Sequence, residues 1–116
     1  MKRGMLDELA ELPVTHNPEI KKRVLFKDGD LPSITQYSQA TFPPGQRAPA
    51  HTHEDMYEVF LCVSGSGLMT IDGEAFALSP GAYVACAPGE RHEIANDGST
   101  PLLIHQLGVR AQQEWL

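Results

Sequence analysis

The segment His51-Thr52-His53-Glu54-Asp55-Met56-Tyr57-Glu58 limits what this chain can fold into more than any other. His51 and His53 are two residues apart. On a strand both rings point to one face, whereas on a helix residues i and i+2 diverge. Four residues separate His53 from Glu58, enough for a tight turn, so the spacing predicts three ligand-type side chains on two neighbouring strands. His92 lies downstream and completes the set. Three imidazoles and one carboxylate suit a divalent transition metal, Fe, Mn, Ni, Cu or Zn, and one ion per chain is expected. A Glu buried among imidazoles is costly without a cation. On an octahedral ion the four ligands leave two adjacent positions for a substrate, or for a substrate and dioxygen. A four-coordinate Zn site would be closed.

The surrounding sequence is that of short strands and tight turns. Pro43-Pro44-Gly45 ends an apolar-rich run from Ile34 to Phe42, and Asp72-Gly73 sits between Leu68–Ile71 and Glu74–Leu78, a two-residue hairpin signal. Ser79-Pro80-Gly81 and Pro88-Gly89 mark further turns, and Asp97-Gly98 leads to a last strand over Pro101 to Gly108. Asn96, just before that turn, is read as a turn cap. Strands at this spacing predict an all-β sandwich or barrel of the jelly-roll type. Before Ile34 the pattern is weaker. Leu6 to Leu12 has helical spacing that Pro13 ends, and residues 14–33 read as irregular apart from a short strand at Arg23 to Lys27.

Two longer motifs now come together. The first runs Gly45, five residues, His51, His53, four residues, Glu58, six residues, Gly65. The second runs Gly81, five residues, Ala87-Pro88-Gly89, two residues, His92, three residues, Asn96. Together they resemble the two motifs of the cupin superfamily, with Ala87 where the family usually has a turn-forming Pro. The spacer from Ser66 to Pro80 is short, as in small single-domain microbial cupins. The resemblance implies a double-stranded β-helix, or jelly-roll barrel, over residues 34–110. A short helix and an irregular arm over residues 1–33 would wrap the barrel or a partner subunit, and residues 111–116 would form a tail able to dock as a helical turn. It also implies His51, His53, Glu58 and His92 as metal ligands, and a homodimer. The activity it implies is metal-dependent oxidoreductase chemistry, chiefly of the dioxygenase type. Isomerase, lyase and decarboxylase chemistry, or metabolite binding without turnover, use the same framework.

Period-2 counting extends the site. If Glu58 points inward, so do Phe60 and Cys62; His92 brings Ile94, and the same counting places Phe42 and Met56 at the cavity. The pocket is then mainly apolar around a metal, as small-molecule sites commonly are. On the last strand only one of the neighbours His105 and Gln106 can face inward, and His105 is the candidate catalytic acid or base. Arg47, Glu54, Asp55 and Arg91 flank the ligands as solvated charges, and His16 reads as a surface residue.

Composition removes other function classes. With 116 residues there is room for one domain, and a net charge of −6 with scattered Lys and Arg leaves no basic stripe for nucleic acid. No apolar run reaches the roughly 20 residues of a membrane span, and acidic residues follow Lys2-Arg3 at once, so a cytoplasmic protein acting on a small molecule is expected. Cys62 and Cys86 sit in apolar runs and read as buried thiols rather than a disulfide.

Overall fold

The computed structural model describes residues 1–111. Its strands are β1 (Leu12–Val14), β2 (Asn17–Lys27), β3 (Ile34–Phe42), β4 (Arg47–His51), β5 (Met56–Ser64), β6 (Gly67–Ile71), β7 (Glu74–Leu78), β8 (Tyr83–Cys86), β9 (His92–Ala95) and β10 (Leu102–Arg110). They form a six-stranded sheet in the order β1-β2-β3-β10-β5-β8 and a four-stranded sheet in the order β4-β9-β6-β7. Neighbouring strands are antiparallel throughout. The fold is a two-sheet jelly roll whose edges do not join into one continuous barrel.

One core lies between the sheets. Phe42, Phe60, Leu102 and Ile104 from the large sheet meet Met69, Leu78 and Ile94 from the small one. Each such side chain contributes about 1.5–3 kcal/mol when fully buried. The turns read from sequence fall between strands. Asp72 and Gly73 both have positive φ (47° and 84°), as a tight two-residue hairpin between β6 and β7 requires. The Asn96 amide donates to the carbonyls of Phe42 and Thr100, and its oxygen accepts from the Gly98 N–H. Asn96 therefore fastens the β9–β10 loop and has no catalytic contact.

The N-terminal segment departs from expectation. Only Leu6–Glu8 is helical, as a single 3-10 turn. Leu9 is already extended, and the residue before a proline is biased the same way, which carries Leu12 into β1 rather than a helix. The segment expected to be irregular contains the 11-residue β2, which pairs with β1 on one side and β3 on the other. Pro13 is tolerated because β1 is an edge strand. Among the described residues no helix is long and apolar enough to cross a membrane. The tail expectation for residues 112–116 lies outside the described residues.

Candidate metal centre

The four candidate ligands converge, though not as a hairpin on adjacent strands. His51 ends β4 and is paired with His92, the first residue of β9, in the small sheet. Glu58 projects from β5 in the large sheet. His53 lies beyond the end of β4, and its carbonyl accepts from the Gly89 N–H at 2.8 Å. That bond ties the His-x-His segment to the turn that launches β9. The site is thus built across the two sheets, at one wall of the space between them.

One ligand atom from each residue lies within 4.8 Å of all the others. Glu58 Oε1 is 3.0 Å from His53 Nε2 and 2.9 Å from His92 Nε2. Glu58 and His92 are buried, at 6% and 3% exposure, while the His53 side chain is one-third exposed and opens the site outward. The backbone sets the ring orientations. His51 Nδ1 lies 2.9 Å from the Pro49 carbonyl and His92 Nδ1 lies 3.2 Å from the Glu90 carbonyl. A carbonyl only accepts, so each Nδ1 carries the proton and each neutral ring turns a bare Nε2 lone pair inward. His92 Nε2 then faces Glu58 Oε1, two buried acceptors with no hydrogen-bond partner in that state. A positive charge between them resolves the conflict: a metal ion, or a second proton on His92.

The titration behaviour of the metal-free site follows from this. Burial opposes ionisation of Glu58, but the hydrogen bond from His92, the charges of His53 and His92 and the hydrogen bond from Gln106 outweigh it and hold the carboxyl below its ordinary range. Burial likewise opposes charging of His92, yet the Glu58 hydrogen bond, the Glu90 carbonyl and nearby carboxylates push it above the ordinary imidazole value. The arrangement favours a cation at this point, and its donor set fits a divalent transition metal.

Beside the ligands is a cavity of about 380 Å³. Phe42, Met56, Phe60 and Ile94 line it, with Ile20 and Ile104. Cys62 faces the same way but lies deeper, in the closed core, and does not reach the cavity wall. Both thiols are free and buried. Burial, reinforced by the charge of Glu58, pushes the Cys86 thiol up to about 12, so neither sulfur is a nucleophile at neutral pH.

The β10 assignment is corrected. His105 faces away from the cavity: its ring sits 2.9 Å from the Tyr37 hydroxyl and 2.9 Å from Gln39 Oε1, on the outer face of the large sheet. Gln106 faces inward. Its amide donates to Glu58 Oε2 at 2.7 Å, and its oxygen accepts from Ser38 Oγ at 3.3 Å. The carboxylate is thereby held with Oε2 occupied and Oε1 directed at the imidazoles. Gln106→Leu leaves Oε2 without its donor and frees the carboxylate to rotate. Metal affinity is expected to fall about 10–100-fold, as for loss of other outer partners of a ligand, with the fold retained. Metal titration of the wild type and variant side by side checks this, and unchanged affinity would remove Gln106 from the site. Ser38, Gln36 and Lys22 also line the cavity and were missed. Counting back by twos from Phe42 along Ile34–Phe42 would have found Ser38 and Gln36. Nothing in the sequence marked Lys22.

The profile of the Cupin_2 family, described as Cupin domain, matches residues 38–107. The chain belongs to the cupin family. It is 34% identical over 67 residues to the uncharacterised protein MJ1618 of Methanocaldococcus jannaschii, a match covering 58% of this chain and 54% of that one. It is 29% identical over 66 residues to an oxalate-binding protein of Thermotoga maritima, covering 57% of this chain and 54% of that protein. The match thus spans about half the length of each of these relatives. Among solved structures, a predicted oxalate decarboxylase from Thermotoga maritima superposes with a TM-score of 0.87 at 20% identity, over 92% of this chain and 97% of that one. At that identity the likeness shows the shared fold.

Proposed function

We propose that this cupin binds one divalent transition metal through His51, His53, Glu58 and His92, takes a small organic molecule into the adjoining cavity and acts on it as a metal-dependent oxidoreductase of the dioxygenase type. One observation carries the choice of chemistry. Among the described cavity residues, the titratable groups are the four ligands and Lys22. With His105 on the outer face, Lys22 is the one described cavity side chain outside the ligand set that could act as an acid or base, and no His, Asp or Glu stands beside it as the partner an isomerase mechanism would use. A bound metal would supply Lewis acidity toward a coordinated oxygen and, if redox-active, a route for electrons. The chain's own groups hold and orient: Gln106 fixes Glu58, the backbone carbonyls of Pro49 and Glu90 fix two rings, and Phe42, Phe60 and Ile94 keep water from the reacting face.

The test is oxygen uptake by Fe(II)-loaded protein over catechols, β-diketones and small thiols, with His51→Ala as control. Uptake lost in the variant supports the reading, while saturable ligand binding without uptake replaces it with the second one. That second reading is a binding module that turns nothing over. It is favoured by the outward His105 and by the likeness to a protein named for oxalate binding. Decarboxylation belongs to the same assay set, since the structural neighbour is called a predicted oxalate decarboxylase.

We further propose that the protein is a homodimer in a cytoplasmic setting. The outer face of the large sheet exposes Tyr57, Leu61, Val63 and Tyr83 on β5 and β8 and is the face a second copy would bury. Light scattering is expected to give a dimer for the wild type and a monomer for Leu61→Arg. A monomeric wild type at micromolar concentration would end the dimer proposal.

A further inference from the structure

We propose that Lys22 and Gln36 form a second pole of the cavity that selects small molecules carrying a carboxylate remote from the metal. The inference deepens the reading above and rests on it, since it requires a small molecule seated beside the metal.

Lys22 follows Ile20 by two residues on β2, so both side chains point between the sheets. Ile20 is fully buried and Lys22 half-buried, and both line the cavity. Lys22 and Glu58 are the formally charged side chains of its wall, apart from imidazoles. Glu58 is committed to the metal site. Lys22 has no carboxylate within 4.0 Å among the described residues. Its one polar contact is neutral: Nζ donates to Gln36 Oε1 at 3.3 Å.

Two consequences follow. The Gln36 oxygen accepts from the ammonium and, among the described residues, its NH2 has no hydrogen-bond partner, so the pair presents chiefly N–H donors to a ligand. That is a head for an anion, and a carboxylate can take one bond from each partner. The charges also fail to balance. A divalent ion with Glu58 leaves one net positive charge, and Lys22 adds a second in a cavity whose remaining walls are mostly apolar. Two like charges facing one cavity are stabilised by an anionic guest. The molecule that fits has a metal-binding oxygen at one end and a carboxylate at the other. Selection of it needs no further charged residue.

The test uses Zn(II)-loaded protein, redox-inert, with two matched probe pairs in calorimetric titration, succinate against its monoamide succinamate and glutarate against its monoamide glutaramate, so that every probe keeps one carboxylate for the metal. At least one diacid is expected to bind about tenfold or more tightly than its monoamide, the span of a charge-assisted hydrogen bond. Lys22→Met is expected to erase that preference while Zn(II) stoichiometry stays at the wild-type value, and Lys22→Arg to retain most of it. Equal binding of acid and amide, no binding of either diacid, or a preference that survives Lys22→Met each overturns the proposal. Failure of the wild type to bind Zn(II) overturns the metal reading instead, and the stoichiometry separates the two failures.

Discussion

Glu58→Gln is expected to keep the fold and to lower affinity for Fe(II), Ni(II) or Zn(II) by about 100-fold or more, beyond the 10–100-fold typical of losing only an outer partner of a ligand. Gln is the neutral isostere, and its side-chain oxygen can still accept from Gln106, which in the wild type donates to Glu58 Oε2. The changed atom is the one that matters. Glu58 Oε1 sits 2.9–3.0 Å from two Nε2 atoms and supplies the only negative charge of the ligand set. An NH2 in that place directs hydrogens at the metal position and brings no charge. The check is metal content after dialysis, with circular dichroism to confirm folding. His105→Ala is the matched control and is expected to hold metal as the wild type does, because its ring contacts Tyr37 and Gln39 on the far face. Full metal occupancy in Glu58→Gln would sink the four-ligand assignment.

That control also shows where sequence reasoning stopped. The candidate ligands were legible because their spacing is chemically demanding, and the turns because Pro, Gly and Asp have fixed backbone preferences. Phe42, Met56, Phe60 and Ile94 line the cavity, and each could be counted by period 2 from a residue whose direction was already argued. It gives direction and not depth. Cys62 points the same way as Glu58 and Phe60 but lies at the closed end, opposite Ile104 on β10. For β10 itself the phase could not be read. The outward set, Leu103, His105, Leu107 and Val109, is as apolar as the inward set, Leu102, Ile104, Gln106 and Gly108. Apolarity alone favours the wrong face, because this sheet exposes hydrophobic side chains on its outside.

The N-terminus was misread for a different reason. β2 contains Pro18, Glu19, Lys21, Lys22 and Arg23, poor strand formers in isolation. Its extended form is imposed by pairing with β3, from Lys21 opposite Thr41 to Lys27 opposite Gln36, contacts between residues distant in sequence. The loss mattered for function, since β2 carries Lys22 into the cavity. At the other end of β3, a Cβ on Gly108 would lie 2.0 Å from Thr35 Oγ1 and 3.3 Å from Met56 Sδ. The small residue there allows Thr35 and Met56 to meet over β10. Such requirements belong to three strands at once and leave no one-dimensional signature.

Metal binding and the stability of the metal-free protein are expected to respond to pH in opposite ways above about pH 6.5. In the metal-free protein Glu58 lies below its ordinary 4.5 and His92 above its ordinary 6.5. The Glu58 contribution to stability is present above 4.5 and is lost as pH falls through the lowered value. The His92 contribution is present below 6.5 and is lost as pH rises through the raised value. Both are in force together between 4.5 and 6.5, so the metal-free Tm should peak in that window. A metal ion must displace the second proton of His92. Its apparent affinity should therefore rise at least about tenfold per pH unit, more steeply at acid pH where His51 and His53 must also be neutral to bind, until the raised His92 value is passed, and then level off. The stabilisation produced by Zn(II) should be small at acid pH and large at neutral pH. Thermal melts of metal-free and Zn(II)-loaded protein from about pH 4 to about pH 8, spanning the ordinary Glu and His values, read both curves. Glu58→Gln removes the partner that raises His92, so its metal-free melt should lose the peak. A wild-type Zn(II) shift that stays constant across the acid range would mean that no proton is held where the metal binds, and the shared cation position of Glu58 and His92 would have to be given up.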